Sequence, residues 1–101
     1  MAFIAIRPDR PDTLGVVRTV TDPDNRRAEL AILVRSDLKG TGLGTMLMTK
    51  IIDYHKARGT GAIVAQILAE NAPMLRLARR CGFSVGKGDE PDVMECVLRL
   101  S

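Results

Sequence analysis

Residues 27–34, Arg-Ala-Glu-Leu-Ala-Ile-Leu-Val, lead within five residues into Lys39-Gly40-Thr41-Gly42-Leu43-Gly44. This junction decides how the chain folds. The first part has charges at its start and apolar residues at its end, which predicts a strand with one end at the surface and the other in a core. Glu29 then falls where the strand becomes buried. After the glycines, Leu43, Met46, Leu47, Ile51 and Tyr54 recur at the spacing of an amphipathic helix. Lys56 and Arg58 place basic groups near the carbonyl end of that helix, and Gly59 tolerates the positive φ of a helix stop. The helix is expected over about Gly42 to Arg58. Ala62 to Leu68 is a bounded apolar run, so strand, helix and strand form a crossover whose two strands run parallel.

Outward from this unit the pattern is mostly antiparallel. Ala2 to Ile6 reads as a strand halted by Pro8 and Pro11, and Leu14 to Thr21 as a second, β-branched one. Asp22-Pro23-Asp24-Asn25 is dense turn chemistry and makes a hairpin with the strand that follows. Asn71 can cap a second, shorter helix, with Pro73 tolerated in its first turn and Leu75, Leu77 and Ala78 facing inward. Cys81-Gly82-Phe83 ends it. Phe83 to Val85, a turn from Gly86 to Pro91, and Val93 to Leu100 complete a terminal hairpin. The expected class is α/β (α+β), a mixed, mainly antiparallel sheet with one parallel crossover.

With 101 residues there is room for one domain and one modest core, and 46% hydrophobic residues suffice to fill it. Fifteen Lys plus Arg against twelve Asp plus Glu leave a net charge of +3, with the two signs interspersed. Only Phe3, Tyr54 and Phe83 are aromatic, so there is little to stack on bases and no nucleic-acid partner is expected. No apolar run approaches the ~20 residues that span a bilayer. The start, MAFIAIRPDRPD, lacks the basic flank and long apolar stretch of a leader, so a cytoplasmic protein is expected. Cys81 and Cys96 have no metal-ligand spacing to each other or to His55, so no metal is expected. Both read as small buried apolar residues.

A helix that begins in glycines offers unpaired N–H groups and the positive end of its dipole to an anion. Residues Gly40 to Thr45 are therefore either a diphosphate cradle or only a tight turn. The loop lacks the Gly-Lys-Ser/Thr of a nucleotide P-loop, and its glycines alternate strictly instead of following G-x-G-x-x-G. Lys39-Gly40-Thr41-Gly42-Leu43-Gly44 instead resembles the Gln/Arg-x-x-Gly-x-Gly/Ala signature of the GNAT superfamily of acetyl-CoA-dependent N-acetyltransferases. Asn71 followed by Leu77-Ala78-Arg79-Arg80-Cys81-Gly82-Phe83 resembles a second block of that superfamily. Across Glu29 to Phe83 the chain is similar in particular to the acetyltransferase domains of bacterial Pat-type protein lysine acetyltransferases.

The resemblance implies acetyl-CoA as cosubstrate. Backbone groups of Ile32, Leu33 and Val34 would pair with its pantetheine arm, Gly40, Thr41, Gly42, Leu43, Gly44 and Thr45 would take its pyrophosphate, and Asn71 would bond near the thioester. Lys39 would act as a point charge beside the phosphates, without the planar fork of an arginine.

Transfer to an amine requires the amine neutral, and Glu29 is the candidate base; the plainer reading is a carboxylate paired with Arg26 or Arg27. Gln66 stands where other members carry their base, and an amide cannot take that proton. Ala78 stands where many members carry a tyrosine that protonates the leaving thiolate, which leaves water, Tyr54 or no general acid for that task. Tyr54 itself falls on the apolar stripe and reads as core. His55 reads as exposed or interacting with the helix dipole near a helix end, and Cys81 as structural. Relative to the family fold the chain reads as one N-terminally short domain over residues 1–101, with a thin acceptor half. An amine, small molecule or protein lysine, is the expected acceptor, and a homodimer is expected to supply the missing wall. A non-catalytic module that holds CoA thioesters is the alternative.

Overall fold

Asp22 folds the chain back on itself. Its Oδ1 accepts from the backbone N–H groups of Arg26 and Arg27 at 2.9 and 3.3 Å, and its own N–H donates to the Arg27 carbonyl at 3.0 Å. The computed structural model, which describes residues 1–6, 13–35 and 40–100, has strands on both sides of this turn. In chain order the elements are β1 (Ala2–Ile6), β2 (Thr13–Thr21), β3 (Arg27–Val34), α1 (Leu43–Arg58), β4 (Ala62–Leu68), α2 (Ala72–Arg80), β5 (Ser84–Lys87) and β6 (Val93–Arg99). They form one sheet in the order β1-β2-β3-β4-β6-β5. Only β3 and β4 are parallel, and every other neighbouring pair is antiparallel, as the sequence pattern predicts.

Side chains alternate across a strand, and here the two faces meet different fates. Phe3, Val17, Ala28, Leu30, Ile63, Ala65, Ile67 and Cys96 join one core with Leu47, Met48, Ile51 and Ile52 of α1 and Leu75, Leu77 and Ala78 of α2. On the opposite face Ile4, Ile6, Val20 and Leu33 are 59–73% exposed. Glu29 belongs to that second face. β3 therefore alternates along its whole length, and Glu29 is exposed between buried Ala28 and Leu30. The expectation of one wet end and one dry end is corrected: a strand covered on a single face alternates instead of grading.

The stripe of α1 is shifted as well. Leu47, Met48, Ile51, Ile52 and His55 are its buried residues, whereas Met46 is 46% exposed. His55, expected at the surface, is fully buried. Its surroundings make burial tolerable, because both ring nitrogens are bonded. The Arg58 carbonyl can only accept, so Asn25 turns Nδ2 to it at 2.8 Å and Oδ1 to Thr60. The Thr60 hydroxyl donates to that Oδ1 at 2.8 Å and so accepts from His55 Nδ1–H at 2.8 Å. Nε2 is then the bare nitrogen, and the Thr19 hydroxyl donates to it at 2.7 Å. Gly59, at φ 73°, closes the helix above this network with its N–H on the His55 and Lys56 carbonyls.

Tyr54 is half-buried instead of central: its ring stands edge-on to Phe3 at 6.4 Å and under the Arg58 guanidinium at 5.4 Å. Cys96 is buried as expected, while Cys81 is half-buried, and both thiols are free. Burial raises both above their ordinary range.

Candidate active site

β3 and β4 pair only from Arg27 with Ala62 to Leu30 with Ala65. Beyond that point β3 follows β2 to Val34, and β4 follows β6 to Leu68. The strands splay, and among the described residues no strand fills the gap. Ile32, Leu33 and Val34 therefore present a backbone edge to open space, the edge that an extended chain of amides can pair with.

A cavity of about 680 Å³ starts at that edge. Ile32, Leu33 and Val34 line one side, Gly40, Gly42, Gly44 and Thr45 its end, and Asn71 with the first turns of α2 the other side. The glycine end is shaped for an anion. Gly40 and Gly42 sit at φ 85° and 88°, and space for at least 4 Å surrounds the position a side chain would take. Gly42 caps α1 with no side-chain bond, and the first turn holds no acid. Met46 N–H is the first to bond back along the helix, to the Gly42 carbonyl at 3.0 Å. The N–H groups of Leu43, Gly44 and Thr45 thus lie at the positive end of the dipole without an intrahelical acceptor. Gly44 has a different duty: a methyl there would come within 2.9 Å of Leu77 Cδ2, so its bareness lets α1 and α2 approach.

The expected cofactor residues thus largely converge. Leu43 is the exception in direction, since it packs against the core, and Thr41 is exposed but does not line the cavity. Lys39 lies outside the described residues. Asn71 lines the cavity while its Oδ1 caps α2 by accepting from Met74 N–H at 3.3 Å, so Nδ2 is the group it can offer a ligand. Arg76, Arg79 and Arg80 also line this space and were not anticipated as binding residues. Their signal was present in the sequence, because positions 76, 79 and 80 share one helical face.

A second, smaller cavity of about 260 Å³ lies at the foot of the splay, lined by Arg27, Glu29, Leu30, Val64, Ala65 and Gln66. Glu29 is exposed there, and among the described residues no cation lies within ion-pair distance of it, contrary to the plain pairing reading. Gln66 Nε2 donates to Glu95 Oε2 at 3.2 Å. The position that would carry a tyrosine acid is closed, since Ala78 is 1% exposed. Tyr54 packs on the β1 side and lines neither cavity.

The profile of the Acetyltransferase (GNAT) family matches residues 1–83. The chain belongs to this family. Within it, a stretch of 65 residues, 64% of the chain, is 38% identical to L-methionine sulfoximine/L-methionine sulfone acetyltransferase of Pseudomonas aeruginosa and spans 37% of that enzyme. A stretch of 69 residues is 33% identical to an uncharacterized N-acetyltransferase of Methanocaldococcus jannaschii and spans 28% of it. This GNAT chain thus covers well under half the length of these relatives. Among solved structures, yncA of Salmonella typhimurium with its cofactor acetyl-CoA superposes with a TM-score of 0.76 and 25% identity, over 90% of this chain and 60% of that one. The GNAT domain of S. lividans PAT superposes with a TM-score of 0.78 at 23% identity, over 88% and 55%, which establishes a shared fold.

Proposed function

We propose that this GNAT chain transfers an acetyl group from acetyl-CoA to a primary amine. The observation that supports it most is the continuity of one cavity. An unfilled strand edge at Ile32–Val34 runs into a glycine-lined helix start beside three arginines, which suits a ligand with an amide arm and a diphosphate. Arg76, Arg79 and Arg80 would add charge to the phosphate end, and Asn71 Nδ2 would meet the arm.

Bound acetyl-CoA would supply an activated acetyl thioester. Glu29, at the foot of the splay, takes a proton from the incoming ammonium, directly or through water, and leaves a neutral amine. A C–N bond then forms as the C–S bond breaks, and the second amine proton passes to solvent while the thiolate leaves and takes one up. Water serves as general acid, because Ala78 cannot and Tyr54 is elsewhere. The two free cysteines suit a reducing cytoplasm. No described helix is long and apolar enough to cross a membrane.

A protein lysine as acceptor, as in a Pat-type enzyme, is a second reading, supported by the exposure of Glu29 on a sheet face that a partner chain can reach. We also propose that a second copy packs beside Glu29 on this face and walls the acceptor site without closing it, because Ile4, Ile6, Val20 and Leu33 are left to water. Light scattering at micromolar concentration should report a dimer; a monomer removes this proposal.

The test of function is a calorimetric titration with acetyl-CoA, CoA and ADP, followed by a thiol-release assay with mixed amines. Amine-dependent release is expected, and Glu29→Gln should lower turnover about 10²- to 10⁴-fold while retaining acetyl-CoA binding. Binding without release would make the chain a cofactor-holding module, and no binding would reduce the loop to a turn.

A further inference from the structure

The two long sides of the large cavity differ in charge. Its strand side, Ile32 to Val34, is apolar, whereas the α2 side carries Arg76, Arg79 and Arg80. Among the described residues no carboxylate pairs with any of the three. The end of α2 does not occupy them either: Cys81 N–H bonds to the Leu77 and Ala78 carbonyls, and Gly82 N–H to that of Arg79. Backbone closes the last turn, and the guanidinium groups remain for a ligand.

Position along α2 divides the three. At the rise of an α-helix Arg76 stands about 7–8 Å along the axis from Asn71, and Arg80 about 13–14 Å. A methyl on Gly44 would meet Leu77 Cδ2, so the start of α1 lies level with Leu77 and next to Arg76. Arg76 therefore faces the glycine end, where the diphosphate of the proposed cosubstrate would sit. Arg79 and Arg80 stand about 3–5 Å past Leu77, beyond that end. Charge points the same way. The helix start and Arg76 meet the diphosphate, which leaves two guanidinium groups without an anion. CoA carries one more phosphate, a monoester on the ribose 3′ oxygen, on the far side of its diphosphate from the pantetheine arm.

We propose that Arg79 and Arg80 form a phosphate-monoester subsite that reads the ribose 3′-phosphate, so that the chain selects CoA over 3′-dephospho-CoA as its acyl carrier. The monoester brings about 1.5–2 negative charges at pH 7 and three acceptor oxygens, and each guanidinium fork can meet it with two parallel N–H bonds. Arg79 and Arg80 are specificity-determining residues in this scheme, while Arg76 serves both carriers alike. The proposal rests on the reading of this cavity as an acetyl-CoA site.

The test is calorimetric titration with acetyl-CoA and with acetyl-3′-dephospho-CoA. The wild type should bind the first about 10- to 100-fold more tightly, the size of one or two charge-assisted contacts. Combining Arg79→Gln with Arg80→Gln should bring that ratio below about threefold and leave affinity for the dephospho carrier within about twofold. Arg76→Gln should weaken both carriers by the same factor. All three arginines are exposed, so the variants should melt close to the wild type.

Phosphorus NMR gives a readout without any substitution. The monoester resonance of bound CoA should titrate at lower pH than that of free CoA, because adjacent guanidinium groups favour the dianion. Equal affinity of the wild type for the two carriers, an undiminished ratio in the double variant, or an unmoved monoester titration overturns the proposal and leaves the acetyl-CoA reading standing. A chain that binds neither carrier overturns both.

Discussion

The two ends of α1 are built for opposite tasks. At the N-terminal end the cap is a glycine without a side-chain bond, the first turn has no acid, and Gly42, Gly44 and Thr45 line a cavity. At the C-terminal end the helix is tied down. The Gly59 N–H takes the His55 and Lys56 carbonyls, Asn25 reaches the Arg58 carbonyl, and His55 is bonded on both ring nitrogens by Thr19 and Thr60. The contrast shows where this fold places its stability. One end locks the helix to the β2–β3 hairpin and the start of β4, so that the other end can stay unsatisfied, as the proposed diphosphate contact requires.

Removing the lock should have the largest effect on stability. His55→Ala leaves Thr19 and Thr60 without their buried partner and opens a cavity, so urea unfolding should report a loss of about 2–4 kcal/mol. Acetyl-CoA affinity, measured where the variant is still folded, should change by less than about twofold if the two ends are independent. A proportionate loss of affinity would show that the two ends of α1 are coupled.

Acid should act at the same end more gently. Burial holds the His55 ring below its usual pKa of 6.5, with the Met1 amine and Arg58 adding to the effect. Above 6.5 both folded and unfolded chains carry a neutral imidazole, and stability from this site is complete. As pH falls below 6.5 the unfolded chain binds the proton first, so stability declines until the folded ring also titrates. Thermal melts from pH 7.5 to 5 should show this slope, and His55→Gln should lack it; an equal slope in the variant would assign the titration elsewhere.

The open end is sharpened by a change with two opposite signs. Thr45→Glu places a carboxylate in the first turn of α1, which should stabilise the helix by about 0.3–1 kcal/mol. The same charge faces the cavity and should weaken CoA binding by about tenfold through like-charge repulsion. A melt and a titration on one sample check both. Arg79→Ala should do least to the fold, within about 0.5 kcal/mol, while lowering CoA affinity and flattening its dependence on salt.

Much of this was legible because local rules dominated. The glycines at 40 and 42, the Asp22 turn and the Asn71 cap each act within a few residues, and each predicted element formed. His55 was misplaced because the residues that make its burial tolerable, Thr19, Asn25 and Thr60, are brought together by packing; two lie at least 30 positions away in sequence. Met46 and Tyr54 were placed on the stripe because a period of three and four admits more than one face, and only the sheet decides which face it covers.

By itself the amino-acid order determined the element order, the crossover and the anion-ready helix start, since turns, caps and hydrophobic periods are local properties. Tertiary structure alone decided two things: the splay beyond Leu30 and Ala65, and the arginine face of α2 turned into the cavity. These depend on strand register between segments more than 30 residues apart, and register is fixed only when the faces of all six strands are sorted together between core and water.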